Sequence, residues 1–268
     1  MNIRKKSFFT LCLALSSIMI VGLSSGAEEL SGLQLMKMVD ERDDGEDQTS
    51  KATFELINKR NQKRIRETVR VWKDYEGQEG YDAKMITFFE SPPDVKGTGF
   101  MSWSYEDQNK DDDQWLYLPA LRKVRLIASS DKGKSFMGSD FTYDDMGDRK
   151  VEQDTHTLLK TENLNNRECY VVESVPIEKR YIYSKKVTWV DKKNLIPVKV
   201  EYFDRKKRHL KTLETEWQQV NNIWTWKRSV MSNHLTRHQT IIEIKEVELN
   251  KNVSDSIFNK RTLEKGIH

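Results

Sequence analysis

The sequence predicts a mainly β protein with a few helices, in which one strongly curved antiparallel sheet is covered by an N-terminal helix and by a lid segment. About a dozen segments alternate apolar and polar residues and are joined by short polar turns, which is typical of an antiparallel meander. The polar positions are rich in Lys, Arg, Glu and Thr, so these strands cannot be buried on both faces. We therefore expect one hydrated face and one apolar face.

The first 27 residues are predicted to be a cleavable secretory signal. Three basic residues at positions 4–6 precede an uncharged apolar run at 8–23, and the small residues up to Ala27 fit a peptidase site. A membrane anchor is the competing interpretation, because about 18 apolar residues can span a bilayer. The early Cys12 lies inside the apolar run, so lipidation at the cut is not expected. We predict an exported, periplasmic chain of residues 28–268 that forms a single domain.

The predicted mature chain has balanced charge. Cleavage removes three of the 45 basic residues and none of the 42 acidic ones, which leaves 42 of each. No net field then favours nucleic acid or an anionic membrane. Cys169 is the one cysteine that remains, so an intramolecular disulfide is not available and stability must come from burial.

The elements follow from the periodicity. Apolar residues recur at helical spacing over 30–39, and we expect an amphipathic helix that ends near Gly45. The segments 52–56 and 65–71 then alternate with period two across a polar turn, which predicts a hairpin. Asn221 and its neighbour Asn222 predict a tight turn, because asparagine tolerates positive φ. Further strands are expected at 83–90, 99–105, 114–118, 124–127, 155–162, 168–175, 185–190, 197–203, 210–220, 223–233 and 239–249.

The central segment 129–146 reads SSDKGKSFMGSDFTYDDM and shows no sustained strand alternation. We expect a loop with short helical turns that lies across the opening of the sheet as a lid. A helix and a loop are too few elements to fill the apolar face of a large sheet, so the sequence predicts a cavity. The many Trp and Met residues suit its lining, because methionine adapts to irregular ligands.

Two short patterns suggest nucleotide or metal binding but lack residues that such sites need. Gly133-Lys134-Ser135 resembles the end of a phosphate-binding loop, yet Ala128 stands where that loop has glycine. His234 and His238 have the i, i+4 spacing of zinc ligands, but they flank a predicted strand turn without a glutamate or cysteine nearby. We expect a surface turn there.

Two further patterns, which suggest calcium binding or hydrolysis, are also incomplete. Asp107 with the run 111–113 lacks the glycine and the distal glutamate of a calcium loop, so a solvated connection is favoured. Ser139 lies beside Asp140, but no G-x-S-x-G turn and no triad accompany it. A loop or capping role is expected for Ser139. We predict no metal, no cofactor and no enzymatic activity.

Two long motifs carry a family resemblance. Residues 115–125 (WLYLPALRKVR) and 135–145 (SFMGSDFTYDD) strongly resemble the outer-membrane lipoprotein-sorting proteins, relatives of the periplasmic lipoprotein carrier LolA. Residues 40–45, 93–100 and 255–265 support the match. The resemblance implies a LolA/LolB-like incomplete β-barrel closed by helices, with a concave apolar side that accepts acyl chains. It also implies an inner-membrane transporter of the resistance-nodulation-division (RND) or MMPL type as partner.

The sequence departs from the family pattern at two positions. Asn61 stands in a hairpin where the family often has glycine, and Leu126 follows Arg125 where a second basic residue is common. These departures affect one turn and one strand end. They put specific polar contacts there in doubt and leave the predicted fold unchanged.

The combined prediction is a periplasmic carrier, expected as a monomer, that binds lipid or lipoprotein acyl chains and shuttles them toward the outer membrane, with transient membrane contact and no nucleic acid. The alternative is a non-transporting envelope regulator or adaptor on the same scaffold. A third class, an envelope hydrolase, would need Ser139. The predicted head-group or lid contacts are Arg70, Arg122 and Arg125. The predicted lining residues are Phe54, Leu56, Val69, Val71, Phe88, Phe100, Trp103, Phe136, Met137 and Phe141.

Overall fold

The computed structural model describes residues 30–267, and the predicted signal at 1–27 lies outside this range. The described chain forms 13 strands, two helices and five short 3-10 turns. Every predicted strand is confirmed; one strand begins five residues earlier than predicted, and the other strand ends differ by up to three residues. The elements are α1 (Gly32–Asp40), β1 (Asp47–Ile57), β2 (Lys63–Asp74), β3 (Tyr81–Ser91), β4 (Gly99–Tyr105), β5 (Asp113–Leu118), β6 (Lys123–Leu126), β7 (Asp154–Leu164), β8 (Arg167–Pro176), β9 (Tyr183–Asp191), β10 (Pro197–Asp204), β11 (His209–Val220), β12 (Ile223–Asn233), β13 (His238–Leu249) and α2 (Lys260–Lys265).

All strands belong to one antiparallel sheet with the order β6-β5-β4-β3-β2-β1-β13-β12-β11-β10-β9-β8-β7. The chain builds outward from β1 to β6 at one edge, crosses to β7 at the other edge, and returns to β13 beside β1. The pairing of β1 with β13 joins the two halves. The edges β6 and β7 are not paired with each other in the described chain, so the predicted curved sheet that is not closed into a barrel is confirmed.

Asparagine shapes several of the tight turns. Asn221 and Asn222 have φ of 51° and 67°, as expected for a two-residue hairpin turn. Asn61 has φ of 61° in the turn between β1 and β2. Glycine adopts this left-handed conformation most easily, and asparagine is among the side chains that tolerate it best. The departure from glycine at position 61 therefore preserves the backbone of the turn.

The crossover segment, residues 127–153, packs against one face of the sheet, which we call the inner face. Phe136 is fully buried there, with its ring centroid 5.0 Å from that of Phe100 and 5.6 Å from that of Tyr143. Phe141 is also buried in the same apolar cluster. The predicted lid is thus a packed layer of the core, and its side chains fill part of the predicted cavity.

The outer face of β3–β5 corrects the expectation of one hydrated face. Ile86, Met101 and Trp115 are buried on this side beneath Phe258 and Leu263 of the C-terminal segment. A second apolar surface on these strands is stable because the chain end covers it, and the sequence analysis did not predict this cover. The contact is close: a Cβ on Gly99 would lie 2.7 Å from a methyl group of Leu263.

The helix α1 covers a different region of the sheet from the crossover segment. A capping box between Ser31 and Gln34 satisfies backbone groups at its start. Leu35 is fully buried against Val172 of β8 and Val190 of β9. The predicted N-terminal helix is confirmed, although it ends at Asp40 and not near Gly45, and it covers the edge of the sheet near β7.

We expect Phe136→Ala to lower the free energy of unfolding by about 3–5 kcal/mol, because the substitution removes a ring from a fully buried position. Chemical denaturation measures this change. Leu121→Ala, at a side chain that is 57% exposed, is the control and should change stability by less than about 0.5 kcal/mol. Equal, small effects of both substitutions would show that the crossover segment is not part of the core.

Candidate functional site

A cleft of about 980 Å³ lies between the inner face of the sheet and the second half of the crossover segment. Strands β1–β4, β12 and β13 form its floor. Residues 141–148 of the crossover segment and the loop 40–46 after α1 complete its walls. The cleft therefore lies where the crossover segment and α1 leave part of the inner face uncovered.

Large apolar side chains make up one part of the lining. They come from both halves of the sheet and from the crossover segment, because the pairing of β1 with β13 brings the two halves together beneath the cleft. Such side chains offer a surface that hydrocarbon can cover. They are Phe54, Trp72, Met85, Phe141, Met146, Trp217, Trp224, Trp226, Ile242 and Ile244.

The rest of the lining is polar, which corrects the prediction of a wholly apolar cavity. Inner-face positions of β1–β4 carry small hydroxyl side chains, including Ser50, Thr87 and Ser102, because the period-two pattern places them there beside the apolar residues. Carboxylates surround the opening from three loops and two strand ends. These acidic residues are Asp40, Glu41, Asp43, Asp44, Glu46, Asp74, Glu76, Asp82, Asp145 and Asp148.

Arg70 of β2 lies on the floor of the cleft. Its Nε lies 2.9 Å from Sδ of Met85, and its Nη1 lies 3.3 Å from Oε1 of Gln48. Burial lowers the pKa of Arg70 to about 10, with Asp44 opposing that shift. The guanidinium is still charged at neutral pH, although no carboxylate of residues 30–267 lies within 4.0 Å of it.

Arg42, in the loop after α1, is a second cation of the cleft. Its guanidinium carbon lies 4.9 Å from the ring centroid of Trp217, which is a cation–π arrangement. Its Nε is buried and has no hydrogen-bond partner within the described part of the chain. Arg42 and Trp217 together form a flat wall between the loop and β11.

A buried ion pair holds the crossover segment on the sheet. Nζ of Lys211 lies 2.6 Å from Oδ2 of Asp145 and donates to the carbonyl of Asp140 at 2.9 Å. The hydroxyl of Tyr183 also donates to Asp145, at 2.9 Å. Burial opposes the charge on Asp145, but Lys211 and then Lys186 outweigh it and hold the pKa of Asp145 below 3.8. The Asp145 carboxylate therefore stays ionised at neutral pH.

Side chains from the incomplete motifs make structural contacts, and those of Asp140 attach the crossover segment to β13. Oδ2 of Asp140 lies 2.6 Å from Nδ1 of His238 and accepts from Oγ1 of Thr240 at 2.8 Å. His234 contacts Oγ1 of Thr212 at 2.8 Å instead of joining His238. The hydroxyl of Ser139 is buried and donates to the carbonyl of Phe136 at 2.7 Å. Ser139 thus has the loop role that the sequence predicts.

The predicted lining residues divide between the two faces of the sheet. Phe54 and Phe141 line the cleft itself. Leu56, Phe100, Phe136 and Met137 lie on the same inner face, in the core beside the cleft. The other four point to the outer face, because they alternate with inner-face residues on β2–β4; they are Val69, Val71, Phe88 and Trp103.

The three arginines that were predicted as head-group or lid contacts lie in three different parts of the structure. Arg70 lines the cleft. Arg122 is exposed in the turn between β5 and β6, where its φ is 48°. Arg125 is exposed on the edge strand β6, with Nη2 3.8 Å from Oδ2 of Asp131 in the crossover segment. Arg125 is thus a contact to the predicted lid, outside the cleft.

Several residues of the cleft were not predicted from the sequence, among them Trp72, Met85, Arg42 and the Lys211–Asp145 pair. The period-two alternation of β2 could have identified one of them, Trp72. Residues of β2 at even positions share a face, so Arg70 and Trp72 belong together and Val71 cannot join them. The ion pair joins positions 66 residues apart, and no periodicity reports such a contact.

Two further properties of residues 30–267 bear on what the protein can bind and where it can lie. No group of three or more His, Cys, Asp or Glu side chains there could hold a metal ion. No helix in that range has the length and apolar character needed to cross a membrane.

These features define the class of protein: an open antiparallel half-barrel with a segment across its inner face and a cleft beside it. A model for a family described as "Uncharacterized protein" matches residues 81–265. A domain from Vibrio parahaemolyticus, described as an outer membrane lipoprotein-sorting protein, is 33% identical and superposes with a TM-score of 0.81. The match covers 87% of this chain and 98% of that domain. The chain belongs to the outer membrane lipoprotein-sorting protein family, as the sequence motifs indicate.

Two further solved structures are similar. A DUF1329 family protein from Desulfovibrio piger ATCC 29098 is 30% identical, with a TM-score of 0.82 over 87% of this chain and 97% of that chain. A LolA superfamily protein from Nitrosomonas europaea is 16% identical, with a TM-score of 0.68 over 87% and 99% of the two chains. The second likeness shows a shared fold alone. No curated protein matches the chain.

We expect Lys211→Met to lower the free energy of unfolding by about 3–5 kcal/mol, because it leaves the buried Asp145 carboxylate without its partner. Adding Asp145→Leu should recover part of this loss, and a double-mutant cycle by chemical denaturation measures the coupling. Lys51→Met is the matched control, since Lys51 pairs with Glu246 on the surface, where water screens the pair, and the substitution should change stability little. Additive losses from Lys211 and Asp145 would contradict the coupling.

Proposed function

We propose that this protein is a non-catalytic periplasmic carrier that binds the acyl chains of lipids or lipoproteins in the cleft and shuttles them toward the outer membrane. The single observation that supports this most directly is the cleft itself. Its volume of about 980 Å³ is at the upper end of the roughly 300–1,000 Å³ of typical small-molecule sites. It is lined in part by Phe54, Trp72 and Met85 and is open at one end of the sheet.

The energetics favour hydrocarbon as the buried part of the ligand. Each methylene group removed from water contributes roughly 0.8 kcal/mol, so a long chain is held without many polar contacts. The cleft has apolar walls on both sides, from β1–β3 and from β11–β13. An acyl chain between them covers apolar surface that the fold leaves exposed.

The proposed compartment and partners of the carrier are supported by the family and by the predicted signal in the N-terminal segment. The V. parahaemolyticus relative is described as an outer membrane lipoprotein-sorting protein domain, which supports a periplasmic role for this chain. The motif resemblance supports an inner-membrane transporter of the RND type as the source of cargo. The carrier then acts as a monomer with transient membrane contact.

A second function, a non-transporting envelope adaptor, is favoured by one specific observation. The crossover segment is anchored by the Lys211–Asp145 pair and by buried Phe136, so it is not a loose flap. A carrier with a fixed cover must exchange cargo through the open end of the cleft. An adaptor would need no exchange, and it would hold a membrane protein without acyl cargo.

The test is to fill the cleft. Ala83→Phe places a ring at a half-buried position of the lining and should weaken binding of a fluorescent acyl probe about tenfold or more, because ring and chain compete for the same space. Lys51→Phe, which adds a ring at an exposed position outside the lining, is the control and should bind as the unchanged protein does.

The cargo is identified in parallel, by extracting the protein purified from the periplasm and analysing the extract by mass spectrometry. Copurifying acyl lipids that are lost in Ala83→Phe would support the carrier. A protein without lipid and without probe binding, but in a stable complex with a membrane protein, would favour the adaptor instead.

A further inference from the structure

The floor of the cleft holds a cation, Arg70, whose hydrogen-bond partners are neutral. Arg70 has five N–H donors, and its two contacts go to the thioether of Met85 and the amide of Gln48. Within residues 30–267 its guanidinium forms no ion pair. Buried cations are usually paired, because removing a charge from water without compensation is costly.

Two hydroxyl groups beside Arg70 also lack partners. Oγ1 of Thr87 and Oγ of Ser102 are buried and make no hydrogen bond to the described chain, and both residues line the cleft. Thr87 lies directly opposite Arg70 in the β2–β3 register, and Ser102 lies opposite Met85 in the β3–β4 register. Cross-strand neighbours share a face, so the three polar groups lie on the same face of three adjacent strands, at the floor of the cleft.

We propose that Arg70, Thr87 and Ser102 form a subsite for a monoanionic head group, a carboxylate or a phosphodiester, at the floor of the cleft. This inference rests on the proposed carrier function and names the chemical class of its cargo. One anionic oxygen accepts from the guanidinium in charge-assisted hydrogen bonds. The hydroxyls of Thr87 and Ser102 donate to the same group, which gives both of these unpartnered hydroxyls a partner.

The surrounding charges favour a single negative charge on the ligand. Carboxylates of the loop 40–46 and of Asp74 border the same cleft, and they repel an anion. That repulsion acts through the open end of the cleft, where water screens it, whereas the contact with the half-buried Arg70 is screened less. A second negative charge would meet the carboxylates without a second cation at the floor. Arg42 lies instead against Trp217.

The test compares two ligands of equal chain length, hexadecanoic acid and hexadecanol, in displacement of a fluorescent acyl probe. We expect the acid to bind about tenfold or more tightly than the alcohol. Arg70→Met should remove this preference and leave alcohol binding unchanged, while Arg70→Lys should restore part of it. Arg64→Met, at an exposed position of the same strand outside the cleft, is the matched control.

The outcomes separate the two proposals. Equal binding of acid and alcohol, or an unchanged preference in Arg70→Met with a normal melting temperature, overturns the subsite and leaves the carrier standing. Failure of both ligands to bind overturns the carrier and the subsite together. Displacement of the acid by inorganic phosphate alone, at similar concentration, would assign the subsite to a free anion and overturn the lipid head group.

A second inference comes from the loops of the sheet, independently of the cleft. The antiparallel registers place six connections at one end: 58–62, 92–98, 119–122, 177–182, 205–208 and 234–237. We call this the basic end. Its connections contain two acidic residues, Asp94 and Glu178. They contain eleven basic residues: Lys59, Arg60, Lys96, Arg122, Lys179, Arg180, Arg205, Lys206, Lys207, Arg208 and Arg237.

The opposite end has the reverse charge. Its two largest acidic connections, 41–46 and 106–112, contain eight acidic residues and two basic ones. The first of these borders the cleft, so the cleft opens at the acidic end. The chain has equal numbers of basic and acidic residues after the predicted cleavage, but its loops separate these charges between the two ends of the sheet.

Exposed apolar side chains accompany the cations of the basic end. Leu121, Ile177 and Leu235 lie in three of its six connections and are 57%, 62% and 45% exposed. Basic residues interleaved with exposed apolar tips are typical of surfaces that contact the head-group region of a bilayer. Nucleic acid fits less well, since apolar tips find no partner on a phosphate backbone.

We infer that the basic end docks on a bilayer surface rich in anionic phospholipid. The cations gain from the negative surface potential, and the apolar tips enter the head-group layer. In this orientation the cleft opens away from that bilayer. Cargo then passes between the cleft and a protein on the far side, and does not pass directly into the docked membrane.

The test is co-sedimentation of the purified protein with vesicles. We expect binding to phosphatidylglycerol mixed with phosphatidylethanolamine, weak binding to phosphatidylcholine alone, and a loss of binding as salt is raised. Replacing Arg205 and Lys206 with Gln and Lys207 with Asn should weaken binding roughly tenfold or more. The matched control, Lys192→Gln with Lys193→Gln and Lys251→Gln, removes the same charge from the other end.

The apolar tips are tested separately. Leu121→Ser with Ile177→Ser should weaken vesicle binding further, whereas Leu159→Ser, at an exposed position of β7, should not. Equal losses in the two charge triples, or equal binding to phosphatidylcholine and phosphatidylglycerol, would overturn the docking surface. Salt-sensitive capture of an acidic protein by the basic end, without vesicle binding, would also overturn it. Acyl-probe binding should be unchanged in all of these variants, because none of them lines the cleft.

Discussion

The structure depends on the attachment of one connection to the inner face of the sheet. The crossover segment joins the two edge strands, β6 and β7, so the chain must pass over that face. Lys211 and Asp145 hold it there as a buried pair, and further hydrogen bonds to Asp140 and from Tyr183 satisfy their remaining groups. A buried pair tolerates the loss of water only with such additional partners. Because this cover is fixed, the space that it leaves uncovered is defined as well.

The cleft combines two surfaces that the alternation of β-strands places side by side. On β2, Thr68, Arg70 and Trp72 share the inner face, so an apolar wall and a cation belong to the same strand. Apolar walls favour a hydrocarbon chain, and the cation favours an anionic end. The cleft is therefore suited to an amphiphile better than to a purely apolar or a purely polar ligand.

The distribution of charge follows from the meander. Successive hairpin turns of an antiparallel sheet lie at alternate ends, so a chain that places basic residues in one set of turns and acidic residues in the other becomes polarised. The turn 205–208 and the loop 41–46 are extreme examples. Net charge cannot reveal this arrangement, and for that reason a balanced composition gave no indication of a charged surface. The cleft opens among the acidic loops, at the end of the sheet opposite the basic turns.

The sequence alone determined the strands, the asparagine turns, the first helix, the position of the lid segment and the family, because these depend on local periodicity and on contiguous motifs. Only the tertiary structure decided which face of each strand points inward. Val71 and Phe88 are as apolar as Phe54, yet they lie on the outer face beneath Phe258, near the chain end. Period two separates a strand into two faces without saying which one is inner. That choice depends on contacts between distant segments, as do the Lys211–Asp145 pair and the cleft beside it.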